Sequence, residues 1–187
     1  YHPFRNTLVL RRSLEYAATH DLTVFIHPED PSLSANGCMH EGKVSTRLGL
    51  PGISSAAETT SVAYFIELIE QTGVQAHFCC LSTNRAVRMI ARAKHDGMNL
   101  SANVCTHQLF LTEDDLREFN PNLHVKPPFR TQADQEGLIK GIQESTISCI
   151  CSDHQPHEPD AKLSPFPTTE SGISSLETLL PLTLRLV

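Results

Sequence analysis

Four apolar segments of the sequence each end in side chains that can bind a metal ion or carry a proton. These endings are His27, Cys80, His107 and Asp153, the last followed directly by His154. Imidazole nitrogen, thiolate and carboxylate are all zinc donors, and a carboxylate can also move protons during a reaction. One such residue alone is more often a packed core side chain. Four consecutive endings of this kind indicate one shared metal or catalytic site.

The elements that must position these residues alternate between helix and strand. Apolar periodicity and capping residues predict helices over 5–20, 56–72, 84–96 and from about 173 onward, with two more opened by capping boxes at Thr112 and Thr131. Short apolar runs predict strands over 22–26, 74–80, 99–105 and 146–152, the first of them a buried strand. A loop rich in Pro, Ser, Asn and Gly is predicted over roughly 28–55.

Strands that alternate with helices predict an α/β fold with parallel βαβ units and right-handed crossovers. In a (β/α)8 barrel the C-terminal ends of the strands converge on one mouth, which holds the active site. The four polar strand endings therefore fit the mouth of such a barrel.

Composition excludes several classes of function. The 187 residues carry 15 Lys and Arg against 21 Asp and Glu, a formal net charge of −6. We therefore expect neither a nucleic-acid nor an anionic-membrane partner, and the apolar runs are too short to span a bilayer. The six cysteines contain no CxxC motif, so we expect no disulfide framework, a cytoplasmic location and thiols that are mostly small buried hydrophobes.

Seven short segments occur in an order and spacing that resemble the dihydroorotase family of the amidohydrolase superfamily. They are residues 27–30, 39–42, 47–53, 79–83, 125–131, 152–157 and 172–178. The resemblance covers nearly the whole chain and implies a partial (β/α)8 TIM barrel of the metal-dependent amidohydrolase type. Residues 1–187 would form a single partial domain with about strands five to eight. The first half of the barrel would lie upstream of Tyr1.

The resemblance also implies roles for individual residues. His27 matches a metal ligand at the end of the fifth strand. Asp153 matches the carboxylate that ends the eighth strand, touches the metal and shuttles the proton. His157 and Gly172 match contacts to the substrate ring. The family binds zinc and interconverts the small molecules N-carbamoyl-L-aspartate and L-dihydroorotate in pyrimidine biosynthesis.

The sequence departs from the family pattern at several of its functional positions. Cys80 stands where the family has a histidine ligand, and Lys126 stands where it has a substrate-binding asparagine. Gln108 replaces the second histidine after the seventh strand, and Ser171 replaces an aromatic residue. The family's His-x-His pair, bridging metal residue and substrate-clamping arginine would precede Tyr1. We therefore expect the 187 residues by themselves to be inactive.

Three functions remain open at this point. The first is a zinc dihydroorotase. The second is a non-catalytic dihydroorotase-like subunit that scaffolds aspartate carbamoyltransferase, which Cys80, Lys126 and the segments 154–163 and 169–175 favour. The third is a hydantoinase or allantoinase, which residues 39–42 and 127–130 disfavour. Because half a barrel leaves unpaired strand edges, we expect either a piece of a longer protein or an assembly that covers the edges, such as a homo-oligomer.

Overall fold

The computed structural model describes residues 6–186. Along the chain the helices and strands are α1 (Thr7–Thr19), β1 (Val24–Ile26), α2 (Pro31–Ser34), β2 (Met39–His40), α3 (Lys43–Leu48), β3 (Gly52–Ile53), α4 (Ala56–Thr72), β4 (Ala76–Phe78), α5 (Asn84–His95), β5 (Leu100–Cys105), α6 (Gln132–Gln143), β6 (Cys149–Cys151) and α7 (Leu176–Thr183). Short 3-10 turns lie between several of them.

The main sheet has four parallel strands in the order β1-β4-β5-β6. Its register aligns Phe25 with His77 and His77 with Ser101, and further along it aligns Cys105 with Cys151. Helices pack against one face of this sheet. This arrangement confirms the predicted α/β class with parallel βαβ units.

The main core lies between the helices and the sheet. Its fully buried members include Val62, Phe78, Ile90, Val104 and Leu138, which come from α4, β4, α5, β5 and α6 respectively. The helices α5 and α6 approach closely because α6 carries glycine where it crosses α5. A β-carbon at Gly137 would overlap the side chain of Asn84, so a larger residue would push the two helices apart.

The opposite, concave face of the sheet is open, and this overturns two expectations. The strand predicted over 22–26 is not wholly buried, because Phe25 points to the open face and is 69% exposed. The thiols are not mostly buried either. Cys38 and Cys105 are buried, whereas Cys149 is exposed and the other three are half-buried. Alternate residues of a strand face opposite sides of a sheet. On the face opposite the helices Phe25 and Cys149 are exposed, whereas His77 and Cys105 are buried.

The segment predicted as a loop over 28–55 contains regular structure. It holds α2, α3 and a small parallel sheet in which β2 pairs with β3. Met39 is fully buried there against a second apolar cluster that includes Phe129 and Phe166. Local sequence did not reveal this structure, because elements of two to six residues show no periodicity.

Most helix boundaries follow the predicted caps. The Thr83 side chain accepts from Ala86 N at the start of α5, and Gly73 ends α4 in the left-handed conformation. Two predictions need correction. The Thr112 capping box forms, but it opens a 3-10 turn over Glu113–Glu118. The last helix begins at Leu176 because the residues before it bridge to the segment after β6, with Ile173 paired to His154.

None of the helices within residues 6–186 is both long enough and apolar enough to cross a membrane.

Candidate functional site

The predicted site residues follow the C-terminal ends of the main sheet's strands. His27 follows β1, Cys80 follows β4, His107 follows β5 and Asp153 follows β6. Because the strands are parallel, all four lie at the same edge of the sheet. His27 and Asp153 follow the two outer strands, so three interstrand spacings of about 4.8 Å separate them, roughly 14 Å along the sheet.

His27 and Cys80 line one narrow cleft. Its other walls include Glu29, Pro128 and Arg130. The Nε2 of His27 lies 3.9 Å from a carboxylate oxygen of Glu29. The structure therefore brings two of the three predicted metal ligands to one cleft.

Three cysteine sulfurs form a cluster beside this cleft. The Sγ atoms of Cys80, Cys105 and Cys151 all lie within 4.8 Å of one another, and the last two are 3.9 Å apart. Cys80 has a left-handed backbone, with φ of 55°, and its N–H donates to the Asn103 side-chain oxygen at 2.6 Å. Hydrogen bonds from Cys105 and then Cys80 lower the pKa of Cys151 to about 3.

Asp153 belongs to a second group of possible metal donors. Its carboxylate, the Cys105 sulfur and a ring nitrogen of His107 lie within 4.8 Å of one another. The carboxylate also accepts a hydrogen bond from Gln155, whose side-chain nitrogen donates to Oδ1 at 2.8 Å. Both ring nitrogens of His107 are buried without a hydrogen-bond partner, and burial lowers the pKa of His107. The neutral imidazole therefore retains a free lone pair.

The predicted substrate-binding residues His157 and Gly172 contact each other. Nε2 of His157 donates to the Ser171 carbonyl at 2.9 Å. Gly172 has φ of 149°, and a β-carbon there would overlap the Gln155 carbonyl oxygen and crowd the His157 ring. Glycine is therefore the residue that this position tolerates. Lys126, by contrast, is exposed on a separate segment.

A buried polar network supports the floor of the cleft. The Nε of Arg130 donates to the Ser82 hydroxyl at 3.1 Å, and its Nη1 donates to the Ile53 carbonyl at 2.8 Å. The Glu58 carboxylate accepts from the backbone and hydroxyl groups of both Ser82 and Thr83. This network joins α4, the end of β4 and the segment before α6, so it fixes the cleft that holds His27 and Cys80.

The predicted ligands His27, Cys80 and Asp153 do not form one group of three donors within residues 6–186. The structure places Cys80 with two other thiols and Asp153 with Cys105 and His107. Sequence reasoning named neither Cys105 nor Cys151 as a site residue. Their positions at strand ends were visible, but the interstrand register that brings them together was not.

Comparisons with known proteins agree with the fold and the motifs. A family model described as dihydro-orotase-like matches residues 8–86. A dihydroorotase-like protein of Pseudomonas putida is 48% identical over 97% of this chain and 43% of its own length. A dihydroorotase of Syntrophobacter fumaroxidans is 44% identical over 99% of this chain and 42% of its own length. The chain thus spans less than half the length of these relatives.

Solved structures show the same architecture. A D-hydantoinase from a Thermus species superposes with a TM-score of 0.80 at 19% identity, over 96% of this chain and 41% of its own. A dihydroorotase of Saccharomyces cerevisiae superposes with a TM-score of 0.76 at 18% identity, over 97% of this chain and 48% of its own. These are TIM-barrel amidohydrolases, so the predicted partial barrel is confirmed. The chain belongs to the dihydroorotase-like family of amidohydrolases.

Proposed function

We propose that the whole protein hydrolyses a cyclic amide, interconverting N-carbamoyl-L-aspartate and L-dihydroorotate in the cytoplasm. The observation that carries this proposal is the placement of Asp153. Its carboxylate lies at the C-terminal end of the last strand, beside His107 and Cys105. That is the strand edge at which barrels of this type do their chemistry.

Asp153 has the chemistry of a proton shuttle. Its carboxylate accepts a hydrogen bond from Gln155 at one oxygen, and this contact holds the side chain in place. The carboxylate takes a proton from the attacking water and returns it to the leaving amide nitrogen. General acid–base assistance of this kind is worth about 10²–10⁴-fold in rate.

The donor types at the family's ligand positions fit a zinc-class cation. His27 supplies an imidazole and Asp153 a carboxylate, which are both zinc donors. Because these two residues follow the two outer strands of the sheet, each would hold an ion with ligands from the rest of the barrel and not with the other alone. Bound zinc would polarise the amide carbonyl and lower the pKa of water to about 7. Cys80 does not join this pair, because its sulfur lies in the thiol cluster.

His157 and Gly172 would position the substrate ring. Gly172 is buried, and its backbone faces the His157 ring without an intervening side chain. The Gly172 N–H already donates to the His124 carbonyl, and its carbonyl accepts from Lys162 Nζ. Gly172 and the His157 ring would therefore contact a flat heterocycle through van der Waals packing. The exposed amine of Lys126 would attract a substrate carboxylate from the solvent side.

A second candidate is a non-catalytic subunit that scaffolds aspartate carbamoyltransferase. The observation that favours it is Cys80, a half-buried thiol at a family ligand position that is gathered with sulfurs instead of histidines. The relatives from Pseudomonas putida and Pseudomonas aeruginosa, at 48% and 45% identity, both carry the name dihydroorotase-like protein. In this case the protein would act through a protein partner or as a homo-oligomer.

The test is to purify the whole protein and measure its metal content and its hydrolysis of dihydroorotate. We expect zinc and turnover in the wild type. Asp153→Asn should lower kcat by about 10²–10⁴-fold and leave the melting temperature nearly unchanged. The matched control is Asp160→Asn, an exposed carboxylate in the same segment, which should keep full activity.

An inactive wild-type protein that contains no metal and copurifies with a transcarbamoylase would overturn the enzyme proposal. The same result would establish the scaffold function. Full activity in Asp153→Asn would remove the proton-shuttle role, even if the protein proved to be an enzyme.

A further inference from the structure

The thiol cluster joins sulfurs from three adjacent strand ends. Cys80 follows β4, Cys105 ends β5 and Cys151 ends β6. Cys105 and Cys151 are register partners in the parallel sheet, so their side chains point to the same face. Three sulfurs that come from three separate elements cannot be a local feature of one loop.

The backbone around Cys80 turns its sulfur toward the other two. Left-handed φ is unfavourable for a residue with a β-carbon, and Cys80 adopts it with φ of 55°. The Asn103 side chain stabilises this turn by accepting from the Cys80 N–H at 2.6 Å. Asn103 is itself fixed, since its Nδ2 lies 3.0 Å from the Nε2 of His77. The position of the Cys80 sulfur is therefore built into the sheet.

The sulfur separations match those around a single soft cation. A zinc–sulfur bond is about 2.3 Å long, so two sulfurs on one tetrahedral or trigonal ion lie about 3.8–4.0 Å apart. Cys105 and Cys151 are already 3.9 Å apart, and every pair in the cluster is within 4.8 Å. A displacement of less than 1 Å would complete the geometry.

We propose that Cys80, Cys105 and Cys151 form a trithiolate site for a soft divalent cation of the zinc class. Its three sulfur donors differ from the His27 and Asp153 ligands, although Cys105 also lies within 4.8 Å of the Asp153 carboxylate. Thiolates select zinc and other soft ions over magnesium or calcium. The burial of Cys105 keeps bulk water from one side of the site, while the half-buried Cys80 and Cys151 leave an entry path. The site does not depend on turnover, so it would exist in an enzyme and in a scaffold alike.

The test uses Cd²⁺ as the probe, added to the reduced whole protein. Cadmium–thiolate bonds have a charge-transfer absorption in the ultraviolet, so absorbance reports directly on sulfur ligation. We expect the absorbance to reach its maximum at one bound Cd²⁺ per trithiolate site. Bound Cd²⁺ should also protect Cys80, Cys105 and Cys151 from alkylation, measured by peptide mass spectrometry. The matched control is Cys149→Ser, two residues earlier on β6 with an exposed side chain, which should bind like the wild type.

Cys151→Ser and Cys105→Ala should each lower the Cd²⁺ affinity of this site at least about 10-fold. Loss of a direct ligand costs no less than the 10–100-fold typical of an outer-shell partner. Cys151→Ala serves as a second variant if the serine form does not fold. His27→Gln should retain the absorbance, which separates this site from the metal position of the proposed hydrolase.

Unchanged Cd²⁺ absorbance in folded Cys105→Ala and Cys151→Ala would overturn the proposal and leave Cys80 as a ligand of the other site. Absence of any thiolate absorbance in the reduced, folded wild type would overturn it as well.

Discussion

The Nη1 of Arg130 and the Nδ1 of His40 lie 3.0 Å apart although 90 positions separate them in the sequence. Arginine can only donate, so His40 accepts and its Nδ1 carries no proton. Burial and then the Arg130 charge lower the pKa of His40, which keeps the ring neutral. This contact fastens β2 to the segment before α6.

Replacing Arg130 with methionine should destabilise the protein strongly. Arg130 is 3% exposed, and its loss leaves the Ser82, His40 and Ile53 acceptors unpaired. Removing one member of a buried charged network costs about 3–5 kcal/mol. We expect the free energy of unfolding in urea to fall by about 3 kcal/mol. Arg117→Met is the control, because the Arg117–Asp114 pair is exposed and exposed ion pairs contribute little to stability. Equal losses in the two variants would contradict the supporting role of Arg130.

Burial should make the stability depend on the protonation of His124. Desolvation, followed by the charges of Lys162 and Lys126, lowers the pKa of His124 to about 4. The unfolded chain has the ordinary value near 6.5, so it binds the proton more readily than the folded chain does. The neutral His124 ring therefore contributes fully to the free energy of unfolding above about pH 6.5. This contribution is lost as the pH falls toward 4.

We expect His124→Gln to remove this loss, which is of the order of 2–3 kcal/mol. Urea unfolding at pH 7 and pH 4.5 measures it. Each protein is compared with itself, since the Nδ1 contact of His124 with Thr169 also contributes at neutral pH. His95→Gln is the control, because the His95 side chain is 85% exposed. A pH dependence in His124→Gln as steep as that of the wild type would show that other groups cause it.

Alanine at Gly172 should be more disruptive than alanine at another glycine with positive φ. Both Gly172 and Gly73 have φ values that favour glycine, but a β-carbon at Gly73 meets nothing within 4 Å. Gly73→Ala should cost about 1 kcal/mol from backbone strain alone. Gly172→Ala should cost at least twice that in thermal unfolding, because its β-carbon overlaps the Gln155 carbonyl. Similar losses would mean that the segment after β6 moves away easily.

Asn103 should control the reactivity of Cys80. Asn103→Ala removes the acceptor for the Cys80 N–H, so the strained turn should relax and its sulfur should become more accessible. We expect iodoacetamide to label Cys80 several-fold faster, with a stability loss of about 1–2 kcal/mol. Asn99→Ala, an exposed residue immediately before β5, should leave the labelling rate unchanged. A constant Cys80 rate in Asn103→Ala would show that this hydrogen bond does not fix the turn.

Sequence periodicity was sufficient for the large elements and insufficient for the site. The helix α5 was predictable because Thr83 caps it and Gly97 follows it, both local signals. The pairing of Cys105 with Cys151 was not predictable from the sequence. It depends on the register of β6 against β5, which is set by how α6 packs. The contact between Arg130 and His40 was not predictable either, because it requires the folded segment that contains β2 and β3. Tertiary relationships of this kind have no local signature.

The register that pairs Cys105 with Cys151 limits how the intervening chain can vary. The strand period is two, so a slip of β6 by one residue would turn Cys151 toward the helices and carry Asp153 out of phase with His107. Insertions in the mostly exposed turn at 117–122 should be tolerated as long as α6 still places β6 in the same register, whereas the turn directly after β5 holds His107. Variants of residues 106–148 should therefore keep α6 docked on α5. This docking matters more than the length of the segment.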